Sequence, residues 1–314
     1  MPTRDRSSLD AEELFLLWAA RRSGVLDALL DAAGTPSEVA ADAGVTEHAA
    51  RVVVESLSDL GFVRQVGGEY EITNRALGFL AKRDVRSIGR LPHTLDLFDL
   101  WVDLPETMRT GEGPERPADW TRNRLGAHAA TDDARVRARV TAAVREAPDA
   151  ERVLDVRGAS GVYATEFAAR GYDATLLDES SVVDAVEPML VHRGVRTVAA
   201  DAPDFAVDDA FGLVFLADVT SGYDAAENRT LLASAFEALE PGGTLTVVDV
   251  VRDGSTTAVR GRIRALGVGH GDVYTEATLR SWLESAGFDD VTVSTIPGDD
   301  RSLLVAKRPE RAVD

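Results

Sequence analysis

Cysteine is absent from the 314 residues. A disulfide, a thiolate metal site and a cysteine nucleophile are therefore all excluded. Lysine is nearly absent as well: of 34 basic side chains only Lys82 and Lys307 are lysine, and the rest are arginine. Histidine, the usual proton carrier near neutral pH, occurs five times. Aromatic residues make up 6% of the chain. No apolar run approaches the roughly 18 residues that a membrane-crossing helix needs, and the first ten residues lack the apolar stretch of a secretory signal. The expected location is the cytoplasm. There is no internal repeat and no low-complexity tract.

Acidic residues are abundant. Asp and Glu number 53 against 34 Lys and Arg, giving a net charge of −19. One reading is a protein that meets a basic partner or substrate. The other is adaptation to high salt, where a dense carboxylate surface keeps a protein hydrated and soluble. The acids are scattered rather than blocked, which favours the second. With 45% hydrophobic residues the chain is globular, and its length suggests two domains, each able to bury its own core.

The N-terminal part reads as helices followed by a hairpin. Leu14, Leu16, Leu17, Ala20, Val25, Leu26, Leu29 and Leu30 recur at helical spacing over 9–32, with Gly24 as a break. Thr35-Pro36-Ser37-Glu38 opens a helix over 36–43 that Gly44 ends, and Thr46 caps another over 47–60. Two short strand-like runs then flank Gly67-Gly68, a tight-hairpin pair. Helix, turn, helix and hairpin make a winged-helix arrangement. Residues 75–110 look helical, as do 121–147.

From residue 150 strands and helices alternate. Strands are expected at 152–156, 174–177, 195–199, 211–217, 244–251, 290–296 and 302–307, with helices at 162–170, 181–192, 225–239 and 277–287. Such alternation predicts a doubly wound α/β domain: a mostly parallel, seven-stranded sheet with helices on both faces and an antiparallel edge formed by the last strands. The segment 252–275 reads as a loop. Domain boundaries are expected at 1–115 for the winged helix with its linker helices and 116–314 for the α/β domain.

In such a sheet a nucleoside binds outside the carboxyl ends of the parallel strands. The first strand-to-helix turn is Asp155-Val156-Arg157-Gly158-Ala159-Ser160-Gly161, where small residues let the backbone approach a ligand. Asp178 ends the second strand, where a carboxylate can accept ribose hydroxyls. Asp201 follows the third. Acids at the ends of successive strands are a stronger signal than the glycine loop alone.

These stretches, together with Ala238-Leu239-Glu240-Pro241-Gly242-Gly243, Val247-Val248-Asp249 and Ala286-Gly287-Phe288, resemble the class I S-adenosylmethionine-dependent methyltransferases that carry an N-terminal winged-helix dimerisation domain. That family includes small-molecule O-methyltransferases of plants and bacteria. The resemblance spans nearly the whole chain and implies S-adenosylmethionine as cofactor, a small-molecule methyl acceptor and a homodimer formed through the N-terminal domain. It also implies roles. Gly158, Ser160 and Gly161 would lie along the methionine part of the cofactor. Asp155 would support its amino group or the loop, Asp178 would hold the ribose, and Asp201 the adenine amine.

Two positions depart from the family pattern. Arg157 and Ala159 stand where glycine is usual, and arginine brings a Cβ and a long cationic chain to a turn that lies against the cofactor. Arg157 would then swing out to solvent, pair with a cofactor carboxylate or block the pocket. Further on, the triplet that holds the family's histidine base is Ser221-Gly222-Tyr223, and serine has no pKa near neutrality. His270, in Gly269-His270-Gly271, is the one histidine expected near an acceptor. Failing that, the acceptor needs no base, as with an acidic phenol or an amine. No catalytic residue is therefore assigned.

Rival readings are a methyltransferase fold that has lost catalysis and serves in binding or regulation, and a winged-helix DNA-binding regulator. Nucleic-acid binding draws on basic side chains at phosphates, yet residues 1–110 hold 12 basic and 18 acidic side chains. No membrane partner is expected, and nucleic acid is disfavoured.

Overall fold

The computed structural model describes residues 9–31, 34–74, 76, 85–253 and 255–310. They form two compact units, one comprising 1–102 with 116–130 and the other 103–115 with 131–314. The chain passes between them after 102, 115 and 130, so that 103–115 lies with the second unit and 116–130 with the first. No helix among the described residues is long and apolar enough to cross a membrane.

In the first unit, helices Ala11–Arg22, Val25–Asp31, Pro36–Ala43 and Glu47–Asp59 precede a hairpin of β1 (Val63–Val66) and β2 (Glu69–Ile72). Local chemistry explains the boundaries. Thr35 accepts the Glu38 N–H while the Glu38 carboxylate reaches back to the Thr35 N–H, a reciprocal cap with Pro36 in the first turn. Gly67 and Gly68 have φ of 62° and 97°, the left-handed geometry that a tight hairpin demands. Leu17, Val39, Val54 and Leu57 form a fully buried core. Part of the expected 75–110 helix lies outside the described residues; the rest resolves into Val85–Ile88, Leu91–Val102 and, in the second unit, Leu104–Thr110. The apolar side chains of this stretch are largely used internally: Leu95, Leu97, Phe98 and Leu100 are buried. Phe15 remains 48% exposed beside Trp18 and Phe98.

The second unit holds a seven-stranded sheet built from β3 (Arg152–Val156), β4 (Asp173–Asp178), β5 (Val195–Ala199), β6 (Phe211–Ala217), β7 (Leu239–Asp249), β8 (Asp289–Thr295) and β9 (Ser302–Lys307), in the order β5-β4-β3-β6-β7-β9-β8. β3 to β7 pair in parallel, and β9 runs antiparallel between β7 and β8. The strand order reverses beside β3, between β4 and β6, which creates the crevice where ligands bind in such sheets. β6 is buried along its entire length, as an interior strand covered on both faces should be.

Two elements differ from expectation, and one helical stretch divides. The stretch 121–147 is two helices, Trp120–Ala129 and Asp133–Glu146, because Asp132 turns out and accepts the Ala134 and Arg135 N–H groups as an N-cap. β7 begins at Leu239, so the Pro241-Gly242-Gly243 turn is enclosed by the strand rather than preceding it. The expected loop 252–275 contains a helix, Ala258–Gly267. Its inner face is made of small residues. Ala258 and Ala265 are buried, and a Cβ on Gly261 would come within 2.7 Å of Val273. A close-packed small-residue face leaves no apolar periodicity to read.

Candidate active site

β3 delivers its chain into the turn 157–161 at the switch point. Arg157 and Ala159 adopt φ of 58° and 50°, and Gly161 one of 73°. The turn thus requires left-handed backbone at the two positions where this chain carries a side chain, a conformation that costs L-residues about 1–2 kcal/mol each. The true glycines have no latitude. A Cβ on Gly158 would lie 2.7 Å from Asp155 Oδ2 and 2.8 Å from Leu176, and one on Gly161 would lie 2.6 Å from Leu190. The backbone is therefore pressed down onto the strand ends, leaving its upper face to a ligand. Ser160 is buried within it.

Asp178, at the end of β4, is fully buried. Its carboxylate accepts the Ala159 N–H at 2.9 Å, the Glu179 N–H at 2.9 Å and Arg157 Nη1 at 3.0 Å. Arg157 also stands 3.8 Å from Glu179. Of the orientations open to Arg157, the structure takes none that points to solvent alone. The guanidinium turns back onto the buried Asp178 carboxylate. Asp155 is 1% exposed and accepts the Ala164 N–H at 3.1 Å, tying β3 to the helix Val162–Ala169. Burial pushes its carboxyl up to about 8, against that hydrogen bond and with help from the Asp178 charge. In this geometry Asp155 braces the loop. Asp201 is exposed beyond β5, one residue from the Ala202 carbonyl that accepts the Tyr223 hydroxyl at 3.0 Å. The turn, Asp155 and Asp178 come together as one cluster, and Asp201 lies a strand further out.

The segment after β6 is equally defined. Asp218 has φ of 56° and is gripped from two sides, by Arg139 at 2.9 Å and Arg301 at 2.6 Å. Arg139 is 3% exposed, and it also donates to Asp299 at 2.7 and 2.9 Å and to the Tyr163 hydroxyl at 2.7 Å. Burial pushes Asp299 up, but the Arg139 hydrogen bonds and charge prevail and hold it at about 2. Thr220 to Gly222 make a single 3-10 turn. Thr220 donates from its N–H and its hydroxyl to Asp249 at 2.9 and 2.8 Å. Burial and the nearby Asp218 charge push Asp249 up to about 6 despite those bonds. Sequence reading missed Arg139, Asp218 and Asp299, and gave Asp249 no role beyond its place in Val247-Val248-Asp249. The one available signal was Arg139 itself, a charge set among Val136, Val140 and Ala143 on the buried face of its helix.

Ser221, where the resemblance leads one to expect a histidine, has its carbonyl covered: a Cβ on Gly271 would meet it at 2.2 Å. The neighbouring His270 is 45% exposed, with Nε2 2.5 Å from Glu227 Oε2. Glu227 is itself fixed, since it accepts the Asp224 N–H at the start of the helix Ala225–Ala238. His270 is thus held by a carboxylate at a helix N-terminus. His48 lies against Arg51, His93 lies near Asp96 and packs edge-on to Trp120, His128 lies in the helix 120–129, and His192 lies in the 3-10 turn 191–193.

A family model described as a methyltransferase domain matches residues 128–293, more than half of the chain. Two curated Streptomyces relatives are 25% identical. They are the 3-hydroxy-5-methyl-1-naphthoate 3-O-methyltransferase of Streptomyces sahachiroi, with 88% of this chain and 86% of that protein covered, and the tetracenomycin polyketide synthesis 8-O-methyl transferase of Streptomyces glaucescens, with 90% and 91% covered. Human N-acetylserotonin methyltransferase, solved with S-adenosylmethionine, superposes with a TM-score of 0.65 at 20% identity, covering 97% of this chain and 99% of that one, which shows a shared fold. With a matching domain model over the strands that build the site, the chain belongs to the methyltransferase-domain family.

Proposed function

We propose that the protein transfers a methyl group from S-adenosylmethionine to a small-molecule hydroxyl, without a histidine base at the acceptor. The observation that carries this is the turn 157–161, left-handed at 157, 159 and 161 and folded over the buried Asp178. The cradle fits an adenosyl group. Gly158 and Gly161 admit no side chain, so the turn is shaped for close backbone approach, and a carboxylate suited to ribose hydroxyls lies beneath it. Asp201 and Tyr223 flank the place for an adenine, with Gly158, Ser160 and Gly161 along the methionine part. The O-methyltransferase names of the two Streptomyces relatives support the choice of acceptor.

The cofactor supplies an electrophilic methyl on a sulfonium. That methyl would be open to in-line attack by an acceptor oxygen whose proton has already passed to water, and the turn 157–161 with Asp178 would hold the adenosyl end in place for it. Ser221 has no pKa near neutrality, and His270 is 45% exposed with Nε2 on Glu227. On this reading the chain contributes positioning and the acceptor ionises on its own, which selects acidic phenols. Radiolabelled transfer to phenols of graded acidity tests this. Rates should climb as acceptor pKa falls toward the assay pH. Cofactor binding without transfer to any acceptor would instead favour the rival reading of a binding protein on this fold. The N-terminal unit is proposed as a winged-helix dimerisation module pairing two copies through the exposed Phe15 edge; a monomer in light scattering would refute that.

A further inference from the structure

We infer that Arg157 sets the charge selectivity of the cofactor pocket, weakening the sulfonium cofactor relative to its neutral-sulfur product, S-adenosylhomocysteine. The inference rests on the cofactor assigned above.

Arg157 is inward by construction. Its left-handed backbone, φ 58°, is imposed by the turn. Its guanidinium is pinned by Asp178 at 3.0 Å and drawn by Glu179 at 3.8 Å, with only a quarter of the side chain exposed. Nor is Asp178 a free acceptor, because the Ala159 and Glu179 N–H groups use it as well. A ribose that reaches Asp178 must share it with Arg157 or displace the guanidinium. A displaced guanidinium stays tethered at the turn, above the strand ends. In either case a fixed cation remains next to the ribose.

The sulfur of the cofactor is joined to that ribose through one methylene. Before transfer the sulfur is a cation; afterwards it is a neutral thioether, while the adenosine and the amino-acid ends are unchanged. A fixed positive charge therefore acts differently on the two ligands only through the sulfur. At separations of several ångströms in a partly solvated pocket, such a repulsion amounts to roughly a tenfold difference in affinity. Steric competition for Asp178 affects both ligands equally and drops out of the ratio. The consequence is a product-over-cofactor affinity ratio higher than the same pocket would have without the Arg157 charge, even with Asp178 and Glu179 beside it.

The test is titration calorimetry of the full chain with S-adenosylmethionine and with S-adenosylhomocysteine, for the wild type, Arg157→Gly, Arg157→Asn and Arg157→Lys. Glycine and asparagine both accept the left-handed backbone without the charge. The product-over-cofactor affinity ratio is expected to fall about tenfold in both neutral variants, to stay near wild type in Arg157→Lys, and to shrink in wild type as salt screens the charge. An unchanged ratio in the neutral variants overturns the charge role even if both ligands bind more tightly. Loss of the wild-type ratio in Arg157→Lys overturns it too. If no variant binds either ligand, the cofactor assignment falls, and this inference with it.

Discussion

Replacing Asp155 by asparagine should stabilise the protein near neutral pH and remove a pH dependence from its folding. The carboxyl is 1% exposed and burial pushes it up to about 8, against an ordinary value of 3.8. A raised folded pKa means that the folded state keeps a proton the unfolded chain gives up. The contribution is therefore fully present below about pH 4, and it is lost as pH rises through the window from about 4 to about 8. At pH 7 the unfolded carboxyl is ionised by about three pH units while the folded one is still mostly protonated. At about 1.4 kcal/mol per unit this costs about 4 kcal/mol. Asparagine is a near-isostere of the protonated acid, and its carbonyl can still accept the Ala164 N–H that Asp155 holds at 3.1 Å.

The assay is urea unfolding of wild type and Asp155→Asn at intervals from pH 4.5 to 8.5. Subtracting one curve from the other removes the other titrating groups, including Asp249 at about 6 and Asp299 at about 2. The variant should gain on the wild type steadily with pH, reaching several kcal/mol at neutrality. A difference that is flat with pH, or a variant equally destabilised at every pH, would refute the reasoning. It would mean that Asp155 is ionised in the fold and stabilised by something other than a proton.

Arg139→Met should cost about 3–5 kcal/mol in thermal or urea unfolding, because it strands the buried Asp299 carboxylate without its partner. Ala159→Gly should stabilise by up to about 1 kcal/mol, since relief of the left-handed strain at φ 50° slightly outweighs the added freedom of the unfolded chain. Asp178→Asn should weaken S-adenosylmethionine binding about 10–100-fold by calorimetry, because a charged hydrogen-bond acceptor beneath the ribose is lost. Ser221→His should speed methyl transfer to weakly acidic phenols about tenfold, with a half-point near pH 6.5 in the rate profile, while leaving acidic phenols little changed.

Strands β3, β5, β6 and β9 fall where the sequence reading places them, because each is a run of apolar or β-branched residues stopped by turn chemistry. The capped helix Pro36–Ala43 is legible for the same reason: Thr35, Pro36 and Glu38 act on the backbone within one turn. Helix Ala258–Gly267 is illegible because its buried face carries no large side chains. At the site, Asp155, Gly158, Gly161 and Asp178 can be read because strand ends and tight turns are local features. Arg157 is different. Its backbone strain follows from the position, but the partner of a long flexible side chain is decided by which carboxylate the tertiary fold brings within reach. Arg139 joins Tyr163, Asp218 and Asp299 across 160 residues of chain, and no spacing rule connects them.

Asp155 and Asp178 near the ends of β3 and β4, Asp218 just past β6 and Asp249 at the end of β7 bring carboxylates to neighbouring strand ends, where mutual repulsion would oppose folding if all were bare. The structure neutralises each differently. Asp155 keeps a proton, and Asp249 is pushed toward keeping one while Thr220 and the Val250 N–H hold it. Asp218 has Arg139 and Arg301. Asp178 lies at the ligand face and has Arg157. A cationic cofactor would itself relieve negative charge there, so a chain with Arg157 has transferred part of that task from the ligand to the protein. The same arginine that makes the strand ends compatible with one another thereby lowers the pocket's preference for a positively charged sulfur. The departure at 157 links the charge balance of the fold to the handling of its cofactor.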